Sequence, residues 1–286
     1  MIFRVQATQN SVLIDFCASG SSWKGTLEAD LSQVVGTEIR RFLKALRSLD
    51  LQTVVVLTLS VLLLVATFKF GSRDFFLGQV APQGTRLQSW AWWFVAQGIT
   101  GFVIPVLILV LGFRRKAVAI GLGLGDWKLA TTLFALYLPI VIVGTWVLSD
   151  GPLFQAEYPH YREAAESWSV FAIYHALFLF YWVGWEYLWR GFILFGTAHT
   201  FGLHTIFIQA VPFALMHLQK PTSELVLSLV GGIVLGALVW RCRAFWIAVP
   251  IHSAQMLALD FWCSLRIRTG ASGFGLEALR IAFTGI

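Results

Sequence analysis

Long apolar runs separated by short clusters of charge dominate the chain from residue 51 onward. Most approach the roughly 20 residues a helix needs to cross a hydrocarbon core. Seven runs are predicted as membrane helices: 51–70, 90–113, 129–148, 170–195, 206–218, 225–240 and 245–262. The fifth and sixth are short, which calls for tilt, local bilayer thinning or an end in a protein-lined cavity. A last stretch, 274–286, is amphipathic around Glu277 and Arg280 and too short to cross, so an eighth, partial helix is expected there. The predicted fold class is therefore all-α, a polytopic transmembrane helical bundle of about seven to eight spans.

Upstream of the first run the pattern changes. Residues 1–35 are mixed and polar around SGSS and read as a loosely ordered cytosolic tail. Their one apolar stretch, SVLIDFCA, is short and interrupted by Asp15, unlike a cleaved signal. In EIRRFLKALRSL, Ile39, Phe42, Leu43, Leu46 and Leu49 share one helical face, with Arg40, Arg41, Lys44 and Arg47 elsewhere, a design suited to an anionic leaflet. The chain thus divides into a tail with a basic amphipathic helix, 1–50, and a membrane-embedded bundle, 51–286.

Composition narrows the partners. At 57% hydrophobic and 13% charged, the 286 residues belong in a lipid bilayer rather than in a soluble domain. The net charge of +6 is broken into clusters between the runs, which fits membrane orientation and argues against a nucleic-acid partner. Arg40, Arg41, Lys44 and Arg47, then Arg114, Arg115 and Lys116, then Arg241 and Arg243 all fall on one side if the N-terminus is cytoplasmic. The acidic connection with Asp150, Glu157, Glu163 and Glu166 then faces outward, although Arg73, Arg86, Arg266 and Arg268 fall there too. Cys17, Cys242 and Cys263 lack metal-ligand spacing, so neither a disulfide framework nor a zinc knuckle follows. The glycines of GLGLGDWK mark a turn with Asp126 capping the next helix, and Gly231, Gly232 and Gly236 permit close helix approach.

The candidate chemistry is in the apolar runs. An ionisable group at bilayer depth costs about 2.5–3.5 kcal/mol even on the gentlest insertion scale, so several together need mutual partners. Glu186 and Arg190 stand four apart in GWEYLWRGF, His217 closes FALMH, and His252 lies in VPIHSA. A glutamate made basic by burial, helped by imidazoles, can activate water and supply oxyanion donors for amide hydrolysis. The competing arrangement is zinc held by two histidines and a carboxylate; H-E-x-x-H is absent and the spacing does not decide. His175, eleven residues before Glu186, could line an access path, whereas His160, His199 and His204 read as surface residues of connections.

Glu186 and Arg190 with the following GFILFG, then Phe213 and His217, then His252 resemble the motifs E-E-x-x-x-R, F-x-x-x-H and H-x-x-x-(N/D) of the CPBP family, the CAAX-prenyl proteases and bacteriocin-processing enzymes also called Abi. The resemblance covers residues 182–260 and implies an intramembrane endopeptidase acting on a membrane-associated protein or peptide. Under it Glu186 activates water, His217 assists, His252 stabilises the oxyanion and Arg190 positions Glu186, with Phe213 in support and no cofactor. Two positions depart: Trp185 stands where the family has its first glutamate, and Met256 where it has the closing Asn or Asp. The chain resembles a bacterial subgroup with Trp-Glu, in which Glu224 and Asp260 would be the substitutes and the bacterial inner membrane the location. The departures equally suit a catalytically inactive scaffold or immunity protein; a transporter ranks third, since internal repeats are lacking.

Overall fold

The computed structural model describes residues 23–285, with side chains from residue 31, and all its regular elements are helical. It divides into two units, Met1–Leu49 and Asp50–Ile286. The described part of the first is one helix, α1 (Trp23–Arg47). Helix therefore begins well inside the stretch expected to be a loose tail, while residues 1–22, Cys17 included, lie outside the described residues. Leu31, Val35, Ile39, Phe42 and Leu46 are all exposed on α1.

In the second unit the helices are α2 (Leu51–Phe70), α3 (Arg86–Gly112), α4 (Trp127–Leu148), α5 (Trp168–Glu186), α6 (Leu194–Phe201), α7 (Thr205–Leu215), α8 (Thr222–Cys242), α9 (Ala248–Thr269) and α10 (Leu276–Thr284). Among the described residues five helical stretches are long and apolar enough to cross a membrane: α2, α3, α4, the continuous path Trp168–Leu215, and α8. The count differs from the seven read from hydropathy for two reasons. The fourth and fifth predicted runs belong to one helical path, turned at Gly202, whose φ of 53° and ψ of −133° suit only glycine. The seventh, α9, has the length but carries His252, Gln255, Asp260, Arg266 and Arg268.

Caps set the starts of the helices. The Asp50 carboxylate accepts from the Thr53 N–H at 2.7 Å, and that bond, with His199, holds its pKa down to about 2. Thr85 and Gln88 form a reciprocal capping box, which explains why α3 starts at Arg86 and not at residue 90. Asp126 caps α4 through the Leu129 N–H, as expected. Within α3, Pro105 removes a backbone donor, and wide π turns flank it at Ile99–Val103 and Ile108–Gly112.

Helix α2 buries mostly small polar groups and exposes large apolar ones, the reverse of a soluble helix. On α2 the buried residues are Gln52, Thr53, Val56, Ser60 and Thr67, while Leu51, Val61, Leu62 and Val65 are exposed. Hydroxyl pairs join helices, Thr67 to Thr100 at 2.5 Å and Thr53 to Thr200 at 2.6 Å. Helices α3 and α5 approach closely because Gly101 and Gly184 face each other, where a Cβ on either would strike the other helix's backbone. Gly232 and Gly236 give α8 the same intimacy with Phe213 and Gln209 of α7; Gly231 has open space instead.

The two ends carry different charges. At one, Asp50 meets His199, Arg115 bonds Gln52, and Arg241 pairs with Asp126, with Arg114, Lys116 and Arg243 in the same connections. At the other, Lys220 pairs with Glu157, Arg86 with Glu163, and Arg266 with Asp150. The buried Arg266 guanidinium also bonds Ser149 and the carbonyls of Trp146, Ala271 and Gly273 and stacks 3.8 Å over Trp146. It fixes α9 against α4 and ties in the segment leading to α10.

Candidate functional site

Helix α5 ends its regular turns at Glu186 and widens into a π turn over Tyr187–Ile193 that carries Arg190. Such insertions in a helix are frequent at functional sites. Glu186 and Arg190 are both fully buried. Arg190 Nη1 lies 3.0 Å from Glu186 Oε2 and 3.3 Å from Oε1, so each charge is the other's main compensation for lost hydration. Phe213 of α7 closes over the guanidinium, 4.1 Å from the ring centroid, in a cation–π contact.

Helix α9 brings His252 to the same point, with Nδ1 2.5 Å from Glu186 Oε1 and the ring 4.2 Å from Trp182. His217 follows the last turn of α7, its ring 4.9 Å from Phe213 and its Nδ1 3.0 Å from the Phe213 carbonyl oxygen. A carbonyl only accepts, and so does an ionised carboxylate. Nδ1 is therefore the donor in both rings, and in each neutral imidazole Nε2 is the nitrogen with a free lone pair. The Phe213 ring neighbours both, at 4.9 Å from His217 and 6.0 Å from His252.

These groups border a cavity of about 490 Å³ walled by Trp182, Trp185, Phe213, His217 and His252 among others. Arg190 is on the wall and Glu186 is not. The cavity runs to the end of the bundle that holds Arg73, Tyr158, His160, Lys220 and Glu224. At this rim Lys220 Nζ is 2.5 Å from Glu157 and 2.6 Å from His160 Nε2. The His160 hydrogen bond, followed by Lys220, lowers the Glu157 carboxyl to about 2. The Tyr158 hydroxyl donates to Glu224 at 2.7 Å, and burial first, then the Glu224 charge, raises its pKa well above the ordinary phenol range.

Of the residues singled out from sequence, Glu186, Arg190, Phe213, His217 and His252 converge. Glu224 shares their cavity but is engaged by Tyr158. Asp260 is elsewhere: fully buried, off the cavity wall, with Oδ2 3.3 Å from His175 Nε2 but without hydrogen-bond alignment. The same pairing takes His175 away from an access path. His160, expected at the surface, lines the cavity instead. Sequence reading missed Tyr158 and Lys220, and also Tyr137, whose hydroxyl donates to Gln255 Oε1 at 3.0 Å on the cavity wall. The polar composition of the 149–167 connection was the one available signal. Trp185 and Met256 are both buried and contribute wall, not charge. Among the described residues no three His, Cys, Asp or Glu side chains are grouped to hold a metal ion.

No curated protein and no solved structure matches the chain. Residues 166–257 match a family model described as type II CAAX prenyl endopeptidase, Rce1-like. The match starts two residues before α5 and ends five beyond His252, so it takes in the converging carboxylate, arginine, phenylalanine and both histidines and leaves out Asp260. The stretch that carries the converging side chains is therefore the part of this chain, a multi-pass membrane protein, that is similar to the CAAX protease family.

Proposed function

We propose that the chain is an intramembrane endopeptidase that hydrolyses a peptide bond of a membrane-associated protein or peptide. The observation that carries this reading is the 2.5 Å contact between His252 Nδ1 and Glu186 Oε1, with His252 on the cavity wall and Glu186 behind it. A water in the cavity donates one hydrogen to His252 Nε2 and the other to His217 Nε2. As its oxygen bonds the scissile carbonyl carbon, its proton passes to His252, and Glu186 stabilises the imidazolium that forms. His252 returns that proton to the amine nitrogen as the C–N bond breaks. Arg190, paired with the other carboxylate oxygen, holds Glu186 turned toward His252. Glu186 thus acts through His252 rather than on the water itself, a division of labour different from the one expected from the motifs.

The cationic end with Arg114, Arg115, Lys116, Arg241 and Arg243 supports a cytoplasmic N-terminus. The cavity rim then faces the outer leaflet. Prenylated tails, bacteriocin leaders and C-terminal sorting tails are the substrate classes to try. The test compares termini of membrane proteins in the native host with and without the gene. Termini that vanish on deletion and return with the wild type, but not with His252→Ala, support proteolysis; an unchanged set overturns it.

A second reading, an inactive scaffold or immunity protein, has Trp185 and Met256 in its favour. It expects that unchanged set. Zinc on the two Nε2 atoms is the rival chemistry, and it requires activity to fall with EDTA and return with zinc.

A further inference from the structure

With His252 taken up as the base, the reaction still needs a donor for the negative oxygen of the tetrahedral intermediate, and the cavity wall offers few. Arg190 reaches the wall, but its Nε and Nη2, which lack hydrogen-bond partners, are themselves buried beneath Phe213. Lys220 is engaged by Glu157 and His160, and the Tyr158 hydroxyl by Glu224. His217 Nε2 accepts when the ring is neutral. Gln255 differs from all of these. It stands three residues after His252 on α9, so the two side chains are neighbours on one face, about 5–6 Å apart at Cβ. It is partly exposed on the cavity wall, and the Tyr137 hydroxyl donates to its Oε1 at 3.0 Å. That bond fixes the amide with oxygen toward α4 and leaves the two Nε2 hydrogens for the cavity.

We propose that Gln255 is a catalytic residue of the reaction above, its Nε2 donating to the carbonyl oxygen as that oxygen becomes negative, and that Tyr137 is the positioning residue that aims it. The inference rests on the endopeptidase reading. In the step, water oxygen bonds the carbonyl carbon, the C=O pair moves onto oxygen, and the water proton goes to His252. Gln255 transfers no proton. When the intermediate collapses, the C–N bond breaks and the nitrogen takes the proton from His252. The amide one turn from His252 thereby stands in for the polar residue that Met256 does not supply.

The test uses the purified full-length protein in lipid nanodiscs with total membrane protein of the expression host as probe, new termini being quantified by mass spectrometry. The strongest cut, remade as a fluorogenic peptide, gives kcat and KM. Gln255→Leu is expected to lower kcat about 10²–10³-fold with KM little changed, the size found for loss of one oxyanion donor. Tyr137→Phe is expected to lose less. Gln255→Glu retains the Tyr137 bond but donates only when protonated. Its activity relative to wild type should therefore climb as pH falls, a trend that Gln255→Leu or a merely structural role does not produce. No cutting by the wild type overturns the endopeptidase reading. Wild-type cutting with unchanged kcat in Gln255→Leu, or with a pH-independent ratio for Gln255→Glu, overturns this inference alone.

Discussion

His252 and Glu186 meet 2.5 Å apart across the packing of α9 against α5, and of the two only the histidine reaches the cavity. The carboxylate's other oxygen faces Arg190 at 3.0 Å, so one buried glutamate joins the helix that carries it, a cation and a base. Burial of the whole group is tolerable only because its members compensate one another.

Removing one member should expose that debt. Glu186→Gln leaves Arg190 buried without a counter-charge and should destabilise the fold by about 3–5 kcal/mol. The double variant Glu186→Gln with Arg190→Leu should recover most of the stability and none of the activity. Unfolding in detergent mixtures, followed by circular dichroism, measures the first effect, and peptide cleavage the second.

Phe213 lies over Arg190 and contacts the rings of both His217 and His252. Phe213→Ala should cost about 3–5 kcal/mol as a large-to-small core change. Phe213→Leu should cost less and still lower turnover, since an aliphatic side chain gives the guanidinium no π face. Thermal melting and kcat of the two variants check this.

The rim responds to acid. Glu157 is held at about 2 by His160 and Lys220, below its ordinary value of 4.5. A carboxyl with a depressed folded-state pKa stabilises fully above its unfolded value and loses that contribution as pH falls through the folded one. The melting temperature of the wild type relative to Glu157→Gln should be flat above about pH 5 and shrink between 4.5 and about 2. A difference that grows on acidification would contradict the assignment.

His175 and Asp260 form a second histidine–carboxylate pair across the same two helices, with the carboxylate now on α9. Neither side chain lines the cavity. His175→Phe should destabilise the protein by about 3–5 kcal/mol by stranding Asp260, and His175→Phe with Asp260→Leu should restore stability. Turnover by folded double variant should stay within about tenfold of wild type, because the pair sets the packing of α5 on α9 and touches no reacting atom.

What the sequence disclosed follows from cost. Glu186, Arg190, His217 and His252 stand out because charge in an apolar run needs a reason, and Asp126 because a cap has a fixed offset from its helix. Hydropathy also located the spanning helices, apart from the path through Gly202 and the polar α9, where a window average hides a turn or dilutes length with charge. Tyr158, His160 and Lys220 were illegible because their contacts depend on how two connections fold over the cavity, sixty or more residues apart. The order of Glu186 behind His252 depends on the roll of α5 and its π turn, which periodicity does not encode. Asp260 shows the opposite failure: eight residues from His252, it suits the helical face and still belongs to His175.

The central claim, that a carboxylate-backed histidine splits peptide bonds, is tested most directly by cleavage with the purified wild type, Glu186→Gln and His252→Ala, each shown to be folded, on the same total membrane protein. Wild type should generate new termini, His252→Ala should generate none above background, and Glu186→Gln should fall at least about 10²-fold, because the histidine base then lacks the carboxylate that orients it and stabilises its imidazolium. Equal cleavage by all three, or none by the wild type, would contradict it.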